Sequence, residues 1–149
     1  MADVNLGAWF RGLVDDIDDA VEEAAQYVAD EGATVMKQKI QGGGTGNSWD
    51  PSWDSMPNAT PGRHASSPGR VASGDMLSDV KGDVTRSGSS IVSRFGWIDN
   101  YEDYYGAQEN GFDNAQANKK VKGMYALSDT EFEIIREVEK RLDVKLRAI

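Results

Sequence analysis

The fold is decided by one stretch near the start of the chain, residues 6–41, which reads LGAWFRGLVDDIDDAVEEAAQYVADEGATVMKQKIQ. Its apolar residues recur at intervals of three and four, the spacing of one face of an α-helix. At 100° per residue they fill an arc of roughly 120°. This face comprises Phe10, Leu13, Val14, Ile17, Ala20, Val21, Ala24 and Val28, and after Gly32 the pattern resumes at Val35, Met36 and Ile40. The stretch therefore predicts a single amphipathic helix that ends at the glycine run from Gly42.

Such a helix is long for a chain of this size. About 35 residues rising 1.5 Å each span roughly 50 Å, whereas a compact domain of 149 residues is roughly 40 Å across. We therefore expect part of the apolar face to pack on another copy of the chain or on a partner protein. The alternative is a break at Gly32 that gives two ordinary helices.

The composition excludes several classes of protein. The chain has 16 Lys and Arg against 25 Asp and Glu, one histidine and no cysteine, for a net charge of -9. Without cysteine there is no disulfide framework, and the single histidine, His64, rules out a multi-histidine zinc site. No apolar run approaches the ~20 residues needed to cross a bilayer. With no recognisable catalytic, cofactor-binding or metal-binding motif, we expect one domain that is neither an enzyme nor a membrane protein.

The negative charge is concentrated at one end of the chain. Residues 1–41 hold nine acidic against three basic residues, which accounts for -6 of the total. On the predicted helix the acids lie opposite the apolar face, and they are Asp15, Asp16, Asp18, Asp19, Glu22 and Glu23. Their helical spacing differs from that of a calcium-binding loop, so a solvated helix face is the simplest interpretation.

Residues 42–72 have a different character. They contain all four prolines and are rich in glycine, which disfavours a helix or a central strand. They also contain Trp49 and Trp53, each followed by an aspartate. Because exposed tryptophans are typical anchors of protein interfaces, we predict an extended arm that becomes ordered on a neighbouring molecule. The alternative is a loop that folds both tryptophans back onto its own core.

From residue 73 the sequence predicts a folded core. A helical turn at 74–77 precedes a strand over 80–86, a Ser-Gly-Ser turn at 87–89 and a strand over 91–98, which together indicate a β-hairpin. Phe95 and Trp97 share one face of the second strand with Ser93. Since two strands alone are marginally stable, we expect the first helix to cover the hairpin. A short helix over 101–110 and a polar segment over 112–123, with one short strand, follow.

The last predicted helix begins at Ser128, where Glu131 has the spacing of a capping box. Its apolar stripe consists of Phe132, Ile135, Val138, Leu142 and Leu146. The whole order predicts an α+β fold in one domain, 1–149. It combines a long N-terminal helix (1–41) packed on a small antiparallel sheet, an extended loop rich in glycine, proline and tryptophan (42–72), and an α+β core with a C-terminal helix (73–149).

Three short segments of the second half follow one another in a suggestive order. They are residues 73–78, SGDMLS, before the hairpin; residues 104–111, YYGAQENG, after it; and residues 123–127, GMYAL, before the last helix. In order and spacing they resemble the head–tail connector proteins of long-tailed bacteriophages, which are the tail-completion or head–tail joining proteins of the phage neck. The resemblance covers about residues 73–146. This chain lacks the proline that the family usually has near position 124.

The resemblance implies a virion structural protein that joins the phage head, at the portal, to the tail. It implies a ring of identical subunits, commonly a hexamer, with other neck and tail proteins as partners and DNA only as passing cargo. Its location would be the virion, and the host cytoplasm before assembly. Candidate assembly residues are Trp49, Trp53, Tyr104, Tyr105, Gln108 and Glu109; candidate residues for lining a DNA channel are Asp15, Asp16, Asp19, Glu22 and Glu23.

Two other functions stay open at this point. One belongs to the same setting, a tail-terminator ring at the end of the tail tube. The other is a carbohydrate- or peptide-binding module that uses Trp49 and Trp53, with Asp50 and Asp54 as polar partners.

Overall fold

A computed structural model describes residues 5–42, 75–114 and 119–149. In chain order the elements are α1 (Leu6–Ile40), α2 (Asp75–Ser78), β1 (Val80–Ser87), β2 (Ser90–Trp97), α3 (Asp103–Asn110), β3 (Gly111–Asn114), β4 (Lys119–Lys122) and α4 (Ala126–Ala148). The strands form two antiparallel hairpins, β1–β2 and β3–β4. The predicted α+β fold is confirmed, whereas the arm predicted over 42–72 lies, apart from Gly42, outside the described residues.

Helix α1 runs through Gly32 without a break, so the prediction of one long helix is confirmed and the two-helix alternative is wrong. It contains 35 residues and is therefore roughly 50 Å long. The side chain of Asn5 caps its start by accepting a hydrogen bond from the backbone N–H of Ala8 at 2.9 Å. Lys37 and Lys39 lie in the last turn, where the helix dipole favours positive charge.

The β1–β2 hairpin packs against α1, which confirms that the first helix covers it. Two glycines allow this close approach: a Cβ on Gly82 would overlap the carbonyl group of Ala29, and a Cβ on Gly32 would overlap the ring of Phe95. The hydroxyl of Ser93 donates a hydrogen bond to the carbonyl oxygen of Ala25 at 2.6 Å. The hairpin therefore lies directly on the backbone of α1.

Helix α4 lies antiparallel to α1. Three contacts along their length join Lys39 to Glu133 (2.9 Å between Nζ and Oε2), the ring of Tyr27 to the guanidinium of Arg141 (4.0 Å from the ring centroid), and Glu23 to Lys145. The contact nearest the C-terminus of α4 is thus the one at Glu23. The part of α1 before residue 20 has therefore passed the end of α4.

A small core lies where the C-terminal half of α1 meets α2, α3 and the first hairpin. Its buried members are Met36, Ile40, Met76, Val80, Tyr105, Met124 and Ala126. Phe95, Trp97 and Leu127 pack against these residues from the side. The second hairpin, β3–β4, pairs Gly111 with Lys122, so the polar segment over 112–123 contains two strands where one was expected.

The subunit buries only part of the apolar stripes predicted for the two long helices. The buried residues of α1 are Ala20, Ala25, Ala29, Gly32, Met36 and Ile40, and those of α4 are Ala126, Thr130 and Ile134. Phe10, Val14, Ile17 and Val21 of α1 are exposed, and so are Phe132, Ile135 and Leu146 of α4. Small residues, Ala25, Ala29 and Gly32, line α1 where the hairpin approaches its backbone closely. The exposed part of the α1 stripe is therefore the part for which a contact outside the subunit was expected, and that contact stays a prediction.

Candidate assembly interface

The N-terminal part of α1 extends beyond the rest of the described chain. The contacts nearest its start are hydrogen-bonded ion pairs from the guanidinium of Arg86, at the tip of the first hairpin, to Asp18 at 3.4 Å and to Glu22 at 3.3 Å. The dozen residues from Leu6 to Ile17 continue for roughly 18 Å past this point. Within the described ranges all of them are exposed except Leu13, which is half-buried.

This extension presents large apolar side chains to solvent. Leu6 is 69% exposed, Trp9 63% and Phe10 60%, and the same face continues through Val14, Ile17 and Val21. We call these six residues the α1 strip. Monomeric proteins rarely leave a contiguous apolar patch of this extent uncovered, and such patches mark interaction surfaces.

The α1 strip leads into a groove between β2 and α4. The groove has a volume of about 660 Å³, and its lining includes Val28 of α1, Phe95 and Trp97 of β2, and Leu127 and Ile135 of α4. Val28 lies five helical turns from Phe10 on the same side of α1, so the strip and the groove adjoin one another. We call this cavity the β2–α4 groove. Its lining is mostly apolar, as is typical of concave binding sites.

A second cavity flanks the other side of the helix pair and differs in character. It measures about 580 Å³ and is lined largely by charged side chains of both signs, among them Glu31, Lys39, Glu133, Arg136 and Lys140. Lys39 and Glu133 already pair with each other there. Alternating charges of this kind indicate a solvated helix–helix surface instead of a binding site.

The acidic face of α1 lies opposite the α1 strip and is partly used within the subunit. Glu22 pairs with Arg86, and Glu23 pairs with Lys145. Exposed pairs of this kind contribute little to stability. Asp15, Asp16 and Asp19 are exposed. The channel-lining role of this face stays a prediction.

Three of the four candidate assembly residues in α3 are buried inside the subunit. Tyr105 has no exposed surface, and Gln108 and Glu109 are 7% and 6% exposed. The hydroxyl of Tyr105 donates a hydrogen bond to Oδ2 of Asp79 at 2.5 Å. Burial, together with that hydrogen bond, raises the pKa of Tyr105 far above its ordinary value. These side chains serve the packing of the subunit and are not available to a partner, so the expectation is corrected for them.

Tyr104 is the exception among the four, because it is 45% exposed. Its ring meets that of Tyr105 edge-on, with 4.6 Å between the centroids, and Tyr105 in turn contacts Trp97 at 5.2 Å. The indole N–H of Trp97 donates a hydrogen bond to the carbonyl oxygen of Met76 at 2.8 Å. This aromatic cluster joins α2, β2 and α3; Tyr104 is exposed, and Trp97 is half-buried where it lines the β2–α4 groove.

Glu109 has a structural role that the sequence did not reveal. Its carboxylate accepts hydrogen bonds from the backbone N–H groups of Leu127 and Ser128, both at 3.0 Å, and from the hydroxyl of Ser128 at 3.3 Å. These N–H groups belong to the first turn of α4, where donors have no partner within the helix and negative charge is favoured. Glu109 therefore caps α4 from another helix.

This cap explains why α4 begins at Ala126 and not at Ser128. Tyr125, directly before the helix, has a left-handed backbone with φ of 51°, and its N–H donates to the carbonyl oxygen of Glu109 at 3.1 Å. The N–H of Met124 donates to the carbonyl oxygen of Gln108 at 2.9 Å. The capping box predicted between Ser128 and Glu131 is thus wrong, because both residues already lie within the helix.

The remaining candidates, Trp49 and Trp53, lie outside the described residues, as do Asp50 and Asp54. Within residues 5–42, 75–114 and 119–149, no group of three His, Asp or Glu side chains could hold a metal ion. In the same ranges, no helix is both long and apolar enough to span a bilayer.

Comparisons of the chain with protein-family models, with curated proteins and with solved structures gave no match. Its function must therefore be inferred from its own residues and their geometry. The α1 strip and the β2–α4 groove are the features that most need a functional explanation.

Proposed function

We propose that the protein is a structural subunit of a bacteriophage head–tail junction, a ring-forming connector or tail-completion protein that acts through protein contacts without catalysis. The observation that carries this proposal is the α1 strip: a continuous apolar face on a helix that extends past its own domain. Burial of apolar surface is the main driving force of protein association, and a subunit of a larger assembly needs such a surface. The order of motifs in residues 73–146 supports the phage setting.

The distribution of charge on α1 fits a subunit that works beside DNA without binding it. When the α1 strip faces a neighbouring protein, Asp15, Asp16 and Asp19 face away from that contact. On the inner wall of a ring these carboxylates would repel the phosphates of passing DNA and reduce sticking. We therefore assign DNA as cargo only, with further copies of the chain and other neck and tail proteins as the binding partners.

The mass of the particle that the chain forms tests the proposal. Mass photometry or native mass spectrometry on the purified full-length protein, and on the same chain released from assembled phage particles, is expected to give a closed oligomer. Electron microscopy of particles that carry a labelled chain is expected to place the label at the head–tail junction. A strict monomer in both preparations would contradict a ring.

The position of the label also separates the two assembly functions. A label at the portal end supports a connector or tail-completion protein, and a label at the end of the tail tube, in particles without heads, supports a tail-terminator ring. For the binding module, the test is quenching of tryptophan fluorescence in a monomer by a saccharide or a peptide. If a ligand quenches the fluorescence and the chain is absent from phage particles, the binding module replaces the structural subunit as the proposed function.

A further inference from the structure

We infer that the β2–α4 groove is occupied by the α1 strip of a second copy of this chain, so that neighbouring subunits join head to tail. The inference rests on the proposed function in one respect, that the protein assembles with itself. It goes further by naming the two surfaces that meet.

The α1 strip cannot fill the groove of its own subunit. Phe10 and Val28 lie on one unbroken helix, 18 residues and therefore about 27 Å apart. A continuous α-helix cannot bend back to place Phe10 over a groove that Val28 itself lines. The strip and the groove can therefore contact each other only when two molecules meet.

The exposed area is that of a stable protein interface. The six residues of the α1 strip, two of them aromatic, present on the order of 700 Å² of apolar surface. A standard interface buries about 800 Å² on each partner. The groove, at about 660 Å³, lies within the range of roughly 300–1,000 Å³ that is typical of ligand-binding cavities.

The charge pattern argues against a membrane or a nucleic acid as the partner that binds the α1 strip. Helices that lie on a membrane surface combine an apolar face with a polar face rich in lysine and arginine. Between residues 6 and 23, α1 has six acids and a single base, Arg11. Anionic lipids and phosphates would be repelled by this helix, whereas a second copy can bind the strip while the acids stay in water.

Two different surfaces on one chain produce a heterologous contact. Such a contact gives each subunit one donor and one acceptor surface, and it closes into a ring when the rotation between neighbours is suitable. An isologous contact between two α1 strips would instead leave the groove unfilled. The geometry therefore favours the head-to-tail arrangement.

The experiment disables each surface separately in the full chain. Phe10→Asp places a charge in the α1 strip, and Ile135→Asp places one in the groove. The matched controls are Gly12→Asp, about 160° around α1 from Phe10, and Val144→Asp, about 180° around α4 from Ile135. A Cβ on Gly12 meets nothing within 4 Å, and Val144 is 68% exposed. Circular dichroism checks that all four variants fold.

Self-association is measured by sedimentation equilibrium. Phe10→Asp and Ile135→Asp are each expected to weaken it at least tenfold, as loss of a central apolar contact does, and the controls are expected to match the unaltered chain. An equimolar mixture of the two disabled variants retains one intact strip and one intact groove. It is therefore expected to form discrete dimers that neither variant forms alone.

Cysteine crosslinking tests the same contact without adding charge, and the chain is suited to it because it has no cysteine. The double variant with Phe10→Cys and Ile135→Cys is expected to give a ladder of disulfide-linked oligomers under mild oxidation. The corresponding double variant at the control positions, Gly12→Cys with Val144→Cys, is expected to give none.

Several results would overturn the inference. Efficient dimers from Phe10→Cys alone would show that two strips meet each other. Oligomers that survive Phe10→Asp but not Ile135→Asp would show that another segment, such as residues 43–74, fills the groove. Binding of the unaltered chain to anionic lipid vesicles, lost in Phe10→Asp and without self-association, would assign the strip to a membrane. In the first two cases the proposed ring could still form, so the failure of this contact is distinguishable from failure of the proposed function.

Discussion

Glu109→Gln is expected to lower the free energy of unfolding by about 2–4 kcal/mol, since this buried carboxylate holds the start of α4. The carboxylate accepts two backbone N–H groups, each at 3.0 Å. Glutamine offers a single oxygen and would turn its NH₂ group against the other N–H. Losing one hydrogen bond to a charged group costs about 1.5–3 kcal/mol. Losing the negative charge at the helix N-terminus typically costs about 0.3–1 kcal/mol more.

Urea unfolding followed by circular dichroism measures this loss. It must be done at one protein concentration, because association shifts the apparent stability. In a chain of this length each kcal/mol of lost stability lowers the melting temperature by roughly 2–4 °C. The melting temperature of Glu109→Gln is therefore expected to fall by roughly 5–15 °C. The matched control is Glu139→Gln, an exposed glutamate on the same helix, expected to stay within about 0.5 kcal/mol. An equally small effect of Glu109→Gln would refute the assigned cap.

Three further variants probe other contacts of the subunit. Gly82→Ala is expected to destabilise by about 1–3 kcal/mol in thermal unfolding, because its Cβ overlaps the Ala29 carbonyl; Gly12→Ala, at an open position, should not. Tyr105→Phe should reduce the loss of stability at alkaline pH. Because the pKa of Tyr105 is raised in the folded protein, this tyrosine ionises above about pH 10 only in the unfolded chain. In urea unfolding, the free energy of unfolding of the unaltered protein should therefore fall by up to ~1.4 kcal/mol per pH unit more than that of the variant. Arg86→Gln should cost under about 1 kcal/mol, and less at high salt, since both its ion pairs are exposed.

The elements that local sequence specifies were predictable. The first helix has a strong 3.6-residue period, no proline and a glycine run at its end. The first hairpin has two runs rich in β-branched and aromatic residues around the Ser87-Gly88-Ser89 turn. Each of these signals acts within a few residues, so it survives in the folded chain. The α+β class follows from the order of such elements.

Contacts between distant segments were not predictable in the same way. Glu109 lies in a polar stretch, and its burial depends on backbone N–H groups of Leu127 and Ser128, 18 and 19 residues further along. The spacing of Ser128 and Glu131 satisfied the local rule for a capping box, but the cap from Glu109 and the left-handed Tyr125 set the start of α4 two residues earlier. A rule based on residues close in the sequence cannot include a hydrogen bond from a side chain on another helix.

The two apolar stripes are only partly buried within the subunit for a related reason. A helical pattern shows which face of a helix must leave water, but it does not show which molecule covers that face. Here the tightest packing within the subunit uses Ala25, Ala29 and Gly32, because small side chains let the hairpin approach the backbone of α1. The large side chains, such as Trp9 and Phe10, stay exposed. The strongest hydrophobic signal in this sequence therefore describes a surface that the described part of the chain leaves uncovered, and that surface is the physical basis for proposing an assembly.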